Sequence, residues 1–204
     1  MITATTTAAT TATAATTPAS AALNHRQAHA PAELPSPRAL FIACSDSRVV
    51  PTLLTGTEPG ELHELRTAGH VIPRYRPDAA CAIAATLEFA LGTLEVPDIV
   101  LCGHTHCAAL QDDPPATELP LARTWFTRPA HHPGREHTAR RPGSGLPRTP
   151  EQRHLLAQLH HLRGYPCVTR RLATRRLRLH VWQYNDRTAE TLVWDATARA
   201  FRPL

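Results

Sequence analysis

The sequence predicts an α/β domain built on a mostly parallel β-sheet flanked by helices, with its functional loops at the carboxyl ends of the strands. Two observations carry that expectation. Ala39-Leu40-Phe41-Ile42-Ala43-Cys44 and Ile99-Val100-Leu101-Cys102 are continuous apolar runs of strand length, as required of strands buried on both faces. Between them Ile83, Leu87 and Leu91 recur at helical spacing, and a strand, a helix and a second strand in that order form a crossover that sets the two strands parallel.

The elements follow in chain order. Residues 1–36 are rich in Ala and Thr and then in Pro, Ala and His, a composition that cannot bury enough apolar surface to offset ordering, so they are read as a disordered N-terminal arm. They match neither a secretory signal nor a transit peptide. Residues 37–204 are read as a single domain, consistent with a chain of 204 residues. Its first strand, residues 39–44, is bounded by Pro37 and by the polar Ser45-Asp46-Ser47-Arg48. A second strand spans Leu62 to Arg66, with a turn at Ala68-Gly69, and Pro73 and Pro77 force an extended connection. Asp78 is placed to cap a helix over residues 79–91, which Gly92 ends. The strand that begins at Asp98 delivers Gly103-His104-Thr105-His106-Cys107 at its carboxyl end. Residues 111–150 are dominated by Pro, Arg, His and Gly and read as an irregular insertion with one short helix near Leu119 to Phe126. Residues 151–162 return to helix, Leu177 to Tyr184 form a strand, and Leu192 to Trp194 pair with it through a turn at Asn185-Asp186.

Composition narrows the function classes. The formal net charge of +5 comes from arginine alone, since the chain has no lysine. Arg170, Arg171, Arg175, Arg176 and Arg178 cluster locally, but no base-stacking aromatics interleave with them and no nucleic-acid-binding signature is present, so they read as a solvated helix face or as subunit salt bridges and no nucleic-acid partner is expected. No apolar run reaches membrane-spanning length, so no membrane partner is expected. Five cysteines in a chain of this length favour metal ligation or free thiols over a disulfide framework, and with them a reducing, cytoplasmic setting.

The chemistry concentrates in two loops. Cys44, His104 and Cys107 offer two soft thiolates and an imidazole, the donor set of a catalytic Zn²⁺ site with three protein ligands and a fourth position for water. Taken alone, the same residues equally describe two small buried thiols and a hydrogen-bonded core histidine, and His106 is an alternative ligand. The neighbours decide. Cys44-Ser45-Asp46-Ser47-Arg48-Val49, Arg66-Thr67-Ala68-Gly69 and Cys102-Gly103-His104-Thr105-His106-Cys107 closely resemble, in order and spacing, the signature of the β-class carbonic anhydrases. The resemblance returns more loosely from Glu151 to Leu204, where Leu179 to Asp186 look like that family's late strand and hairpin.

The resemblance implies zinc ligands at Cys44, His104 and Cys107, a catalytic dyad of Asp46 and Arg48, reversible hydration of carbon dioxide to bicarbonate and a proton, and a homodimer or larger homo-oligomer with its substrate pocket at a subunit interface. The physical rationale is direct. Bound zinc lowers the pKa of water from about 15.7 to about 7. An ionised Asp46 then orients the nucleophile, and Arg48 keeps that carboxylate charged and away from the metal. The family also implies a closed form in which Asp46 itself ligates zinc. Two other readings remain open at this point: a zinc-binding relative with little or no turnover, and a hydrolase of carbonyl sulfide or carbon disulfide. Three positions depart from the family pattern. His70 stands for the usual Asn, while Ala108 and Val181 each stand for Gly, and a methyl at 108 is expected to crowd the pocket. Cys102 reads as core and Cys81 and Cys167 as inert. The histidines at 131, 132, 137, 154, 160 and 161 read as solvated.

Overall fold

Six consecutive residues without a charge need cover on both faces, and Ala39–Cys44 (β1), all six of them buried, accordingly runs through the interior of the sheet. This computed structural model describes residues 36–110, 120–126 and 149–204, so residues 1–35 of the expected arm and most of the expected 111–150 insertion lie outside the described residues. β1 pairs in parallel with Leu62–Thr67 (β2) on one side and with Asp98–His104 (β3) on the other. Arg178–Tyr184 (β4) joins β3 in parallel, and Thr191–Asp195 (β5) and Ala200–Pro203 (β6) follow antiparallel, giving the order β2-β1-β3-β4-β5-β6. The mostly parallel sheet is as expected, and β6, whose one large apolar residue is Phe201, adds an edge strand with no sequence signal of its own.

The path of the chain creates the crevice that matters. From β1 the chain passes to β2 on one flank and then crosses to β3 on the other, so the carboxyl ends of β1 and β3 diverge at the point where strand order reverses. Such switch points are where open α/β sheets bind ligands.

Five helices are described: Pro51–Thr55 (α1), Ala82–Gly92 (α2), Pro120–Phe126 (α3), Pro150–Arg163 (α4) and Pro166–Ala173 (α5). The main core lies between one sheet face and α2, α4 and α5, where Leu40, Ile42, Leu101 and Val181 meet Leu87, Leu91, Leu155, Leu162 and Val168. Val181 therefore fills core space. The other face carries a smaller cluster of Phe41, Ala43, Val49, Val100 and Cys102, with Leu54 of α1 and Trp182 against it. Phe41 and Trp182 meet edge to face at 6.1 Å.

Two details differ from the sequence reading. α2 begins at Ala82, because the Asp78 carboxylate turns to Arg76 at 3.2 Å while the Cys81 sulfur caps the helix by accepting from Ala84 N at 3.4 Å. Cys81 thus has a structural use. α5 carries three polar or charged residues in eight and one fully buried residue, Val168, and the sequence reading assigned no helix there. Arg171 on α5 donates to Leu91 O and Glu95 O at the end of α2, and Arg178 grips Asp98 with two bonds of 2.7 and 2.6 Å. Two of the clustered arginines thereby fasten elements of this chain together, Arg171 largely buried and Arg178 at the surface. Among the described residues, no helix is long and apolar enough to cross a membrane.

Leu87 is fully buried and Leu53 is 82 % exposed. Leu87→Ala is expected to lower unfolding free energy by about 2–5 kcal/mol, and Leu53→Ala by no more than about 0.5 kcal/mol, read from urea denaturation midpoints.

Candidate metal centre

Cys44 is the last residue of β1 and His104 the last of β3, so the parallel pairing of these strands sets a thiol and an imidazole side by side at the mouth of the crevice. Cys107 arrives three residues later, after a bend in which His106 takes a positive φ of 52°. The three donor atoms lie within 4.8 Å of one another, all three residues are buried, and the two sulfurs are 3.9 Å apart.

The donor chemistry fits a thiophilic divalent ion. His104 Nδ1 faces Thr105 O at 2.9 Å, and a carbonyl only accepts, so Nδ1 carries the proton and Nε2 presents its lone pair. That Nε2 is buried and makes no hydrogen bond. A buried acceptor without a donor is costly, and a cation beside two sulfurs would satisfy it. Cys44 is the more acidic thiol of the pair: the bond from Cys107 outweighs burial, and the backbone N–H groups of Asp46 and Gly69 help to hold it well below the usual thiol range. Cys107, as donor to a buried anion, is pushed upward. Cys102, enclosed in β3, is raised to about 12 by burial and lies apart as core.

Two backbone features hold Cys44. Arg66 on β2 donates to three carbonyls of the following loop, Cys44 O at 3.0 Å, Asp46 O at 2.8 Å and Val49 O at 2.6 Å, which curls that loop over the strand end. Gly69 donates its N–H to Cys44 Sγ at 3.3 Å. Gly69 sits at φ 71°, and a Cβ there would lie 3.0 Å from the Ala109 Cβ, so both conformation and space require glycine.

Asp46 and Arg48 form the expected pair beside these donors. Arg48 Nε reaches Asp46 Oδ1 at 3.0 Å and Nη2 reaches Oδ2 at 2.7 Å, a two-pronged contact that, against the opposing effect of burial, holds the Asp46 carboxyl at about 2. The sequence reading missed a third member. Asp186, whose side chain is 2 % exposed, accepts from Arg48 Nη1, from Thr105 Oγ1 at 2.7 Å and from His106 Nδ1 at 2.7 Å. Its place in the turn after β4 was visible; what it reaches was not, because the contact spans 138 residues. His106 points its Nδ1 to that carboxylate, while its carbonyl accepts from Arg48 Nη2 at 3.2 Å.

The histidine reading needs correction. His154 and His161 are buried, not solvated: His154 Nε2 bonds Gly69 O at 3.0 Å and His161 Nδ1 bonds Ile72 O at 2.8 Å, while Gln158 between them accepts from Ile72 N at 2.8 Å. The spacing 154, 158, 161 lines one face of α4 against the backbone of residues 69–72, a polar stripe that amphipathic analysis discards. Burial lowers His161, which favours the neutral ring. His70 is also buried, its ring 4.7 Å from that of His154. Ala108 is exposed and its φ is not positive, so that position does not demand glycine. Residues 131, 132 and 137 lie outside the described residues.

The comparisons with known proteins agree on one family. A carbonic anhydrase family model matches residues 39–191. A carbonic anhydrase of Pseudomonas aeruginosa is 39 % identical over 177 residues, 81 % of this chain and 77 % of that protein. Carbonic anhydrase 1 of Escherichia coli O157:H7 is 36 % identical over 175 residues, 83 % and 78 % of the two chains. Among solved structures, the β-carbonic anhydrase CcaA aligns with a TM-score of 0.70 at 34 % identity, over 83 % of this chain and 78 % of that one. One of two tetrameric β-carbonic anhydrases from Sordaria macrospora shares the fold, with a TM-score of 0.58 at 23 % identity over 83 % and 81 %.

Two outcomes are expected from this geometry. Asp46 and Asp186, both held at about 2 against about 3.9 in an unfolded chain, stabilise the fold above pH ~4, and that contribution disappears as pH falls from ~4 through ~2. The difference in urea midpoint between metal-free wild type and Arg48→Ala should therefore shrink over that window. Gly69→Ala should destabilise the metal-free protein by about 1–2 kcal/mol, from the left-handed backbone alone, and should weaken metal binding measured by competition with a chelator.

Proposed function

Because the chain belongs to the β-class carbonic anhydrase family, we propose that it is a zinc-dependent carbonate dehydratase, interconverting carbon dioxide and bicarbonate, with Cys44, His104 and Cys107 as metal ligands and Asp46 and Arg48 as the catalytic dyad. The observation that supports it best is the company the three donors keep. A purely structural site usually takes a fourth protein ligand, whereas here the neighbour is a carboxylate already engaged by an arginine.

When bound, zinc supplies Lewis acidity, making a nucleophile available from water near neutral pH. The rest is the work of this chain. Asp46, ionised throughout the physiological range, only accepts hydrogen bonds. Its Oδ1 already accepts from Arg48 N and Nε, whereas Oδ2 accepts from Nη2 alone and keeps a lone pair, enough to take a hydrogen bond from the attacking water and fix the direction in which the water's free lone pair points. Arg48 spends its donors on Asp46, Asp186 and His106 O, and so keeps Asp46 from swinging to the metal position as a competing oxygen ligand. The carbon of carbon dioxide receives the new C–O bond, bicarbonate departs, and the proton released from water passes to buffer.

The reading extends to the setting. Two sulfurs 3.9 Å apart stay competent for metal only where disulfides do not form, which supports a cytoplasmic location. Self-association as a homodimer or larger homo-oligomer is part of the same proposal and is checked by light scattering on the purified protein.

Stopped-flow hydration of carbon dioxide with zinc content measured on the same sample tests the function. Zinc-replete wild type should exceed the buffer rate by orders of magnitude. Asp46→Ala should retain zinc and lose about a hundredfold or more in kcat/KM, and Cys107→Ala should lose zinc and activity together. Full zinc occupancy with no hydration above buffer would leave the chain a zinc-binding protein without this turnover.

A further inference from the structure

Asp186 lies outside the five residues so far given roles, yet it is the most enclosed carboxylate of the centre. It sits in the turn between β4 and β5, and its side chain is 2 % exposed, against 17 % for Asp46. One of its oxygens accepts from Thr105 Oγ1 and His106 Nδ1, the other from Arg48 Nη1, and its backbone N–H donates to Thr105 Oγ1 at 3.2 Å. Thr105 N in turn donates to Tyr184 O at 3.0 Å, which extends the β3–β4 pairing past the end of β3 and fixes the height of the carboxylate. A buried carboxylate is retained only when its acceptor sites are filled by donors, and here the donors come from two segments far apart in sequence, Arg48 after β1 and Thr105-His106 after β3.

The consequence falls on Arg48. Its guanidinium is half exposed at 47 %, and a side chain with that freedom does not hold one rotamer on the strength of a neighbour two residues away. Asp186 supplies a second, buried anion on the opposite side. The guanidinium is gripped between two carboxylates with His106 O as a further acceptor, and Asp46 is held by the arginine so fixed.

We propose that Asp186 is a positioning residue which, by anchoring Arg48 to the His104–Cys107 loop, keeps Asp46 off the metal and aimed at the attacking water. The inference rests on the assignment of Cys44, His104 and Cys107 as metal ligands made above, though not on turnover. Burial works to raise the Asp186 carboxyl, and the bonds from Thr105 and His106 and the charge of Arg48 more than offset it, so the anchor is an anion at about 2. Without that anion Arg48 is free to follow solvent, and an unheld carboxylate beside two sulfur ligands and an imidazole becomes a fourth metal ligand.

The test uses cobalt(II) in place of zinc, whose visible bands report the fourth ligand, titrated with azide as an exogenous anion. Wild type should show an azide-dependent change in those bands. Asp186→Asn, which keeps the shape and an acceptor for Thr105, should bind about one cobalt per chain and lose the azide response, because Asp46 occupies the position. The double variant Asp46→Asn/Asp186→Asn removes that competitor and should regain the response. With zinc bound, Asp186→Asn should lose about 10–100-fold in kcat/KM, as is usual for groups that orient the residues around a metal. An Asp186→Asn protein whose cobalt bands respond to azide as wild type does overturns the proposal. So does a double variant that stays unresponsive with its metal content intact, since the loss is then not due to Asp46. The azide readout is independent of carbon dioxide chemistry, so a wild type inactive toward carbon dioxide would refute the function and leave the role of Asp186 to be judged from the spectra.

Discussion

Everything around the candidate metal centre answers to one requirement: two sulfurs and an imidazole nitrogen must be kept buried and close together although the protein alone leaves the His104 Nε2 without a donor. Burying ionisable groups side by side is unfavourable, and a fold does it only if the surroundings cannot relax. The uncharged β1 and β3 supply that rigidity, because their ends cannot move without disturbing the core on both faces of the sheet. The loops beyond the strand ends have no such core. They are held instead by backbone polar groups, through Arg66 on the carbonyls of residues 44–49 and through the N–H of Gly69 on the Cys44 sulfur.

Two arginines thus divide the work. Arg66 grips peptide oxygens only, so its effect is on the course of the chain; Arg48 grips carboxylates, so its effect is on charge. The difference explains why the second needs a counter-anchor and the first does not. Three carbonyls of a single loop surround Arg66, while Arg48 lies between loops belonging to different parts of the sequence.

What was legible in the sequence follows the range of the interactions. β1 and β3 were readable because burial on both faces demands an unbroken apolar run, and Asp46 and Arg48 because their contact spans two residues and travels with Cys44. α5 was not, since its anchoring depends on Arg171 reaching main-chain oxygens of α2 and Glu95, a use of charge that composition alone reads as solvation. Asp186 was visible only as a turn residue. The histidines of α4 were misjudged for a related reason: a buried imidazole bonded to a carbonyl has the same one-letter pattern as an exposed one, and only the partner strand and turn distinguish them.

The polar face of α4 has a further meaning. His154, Gln158 and His161 address the peptide groups of Gly69 and Ile72 one by one, and the ring of His154 also meets His70, which lies against Gly103. Position 70 is therefore one half of an interlocking pair with position 154. A smaller side chain at either position would leave the other ring without its neighbour, directly behind the residue that precedes His104. The turn and the helix thus depend on each other for their packing, although they are separated by about eighty residues of chain.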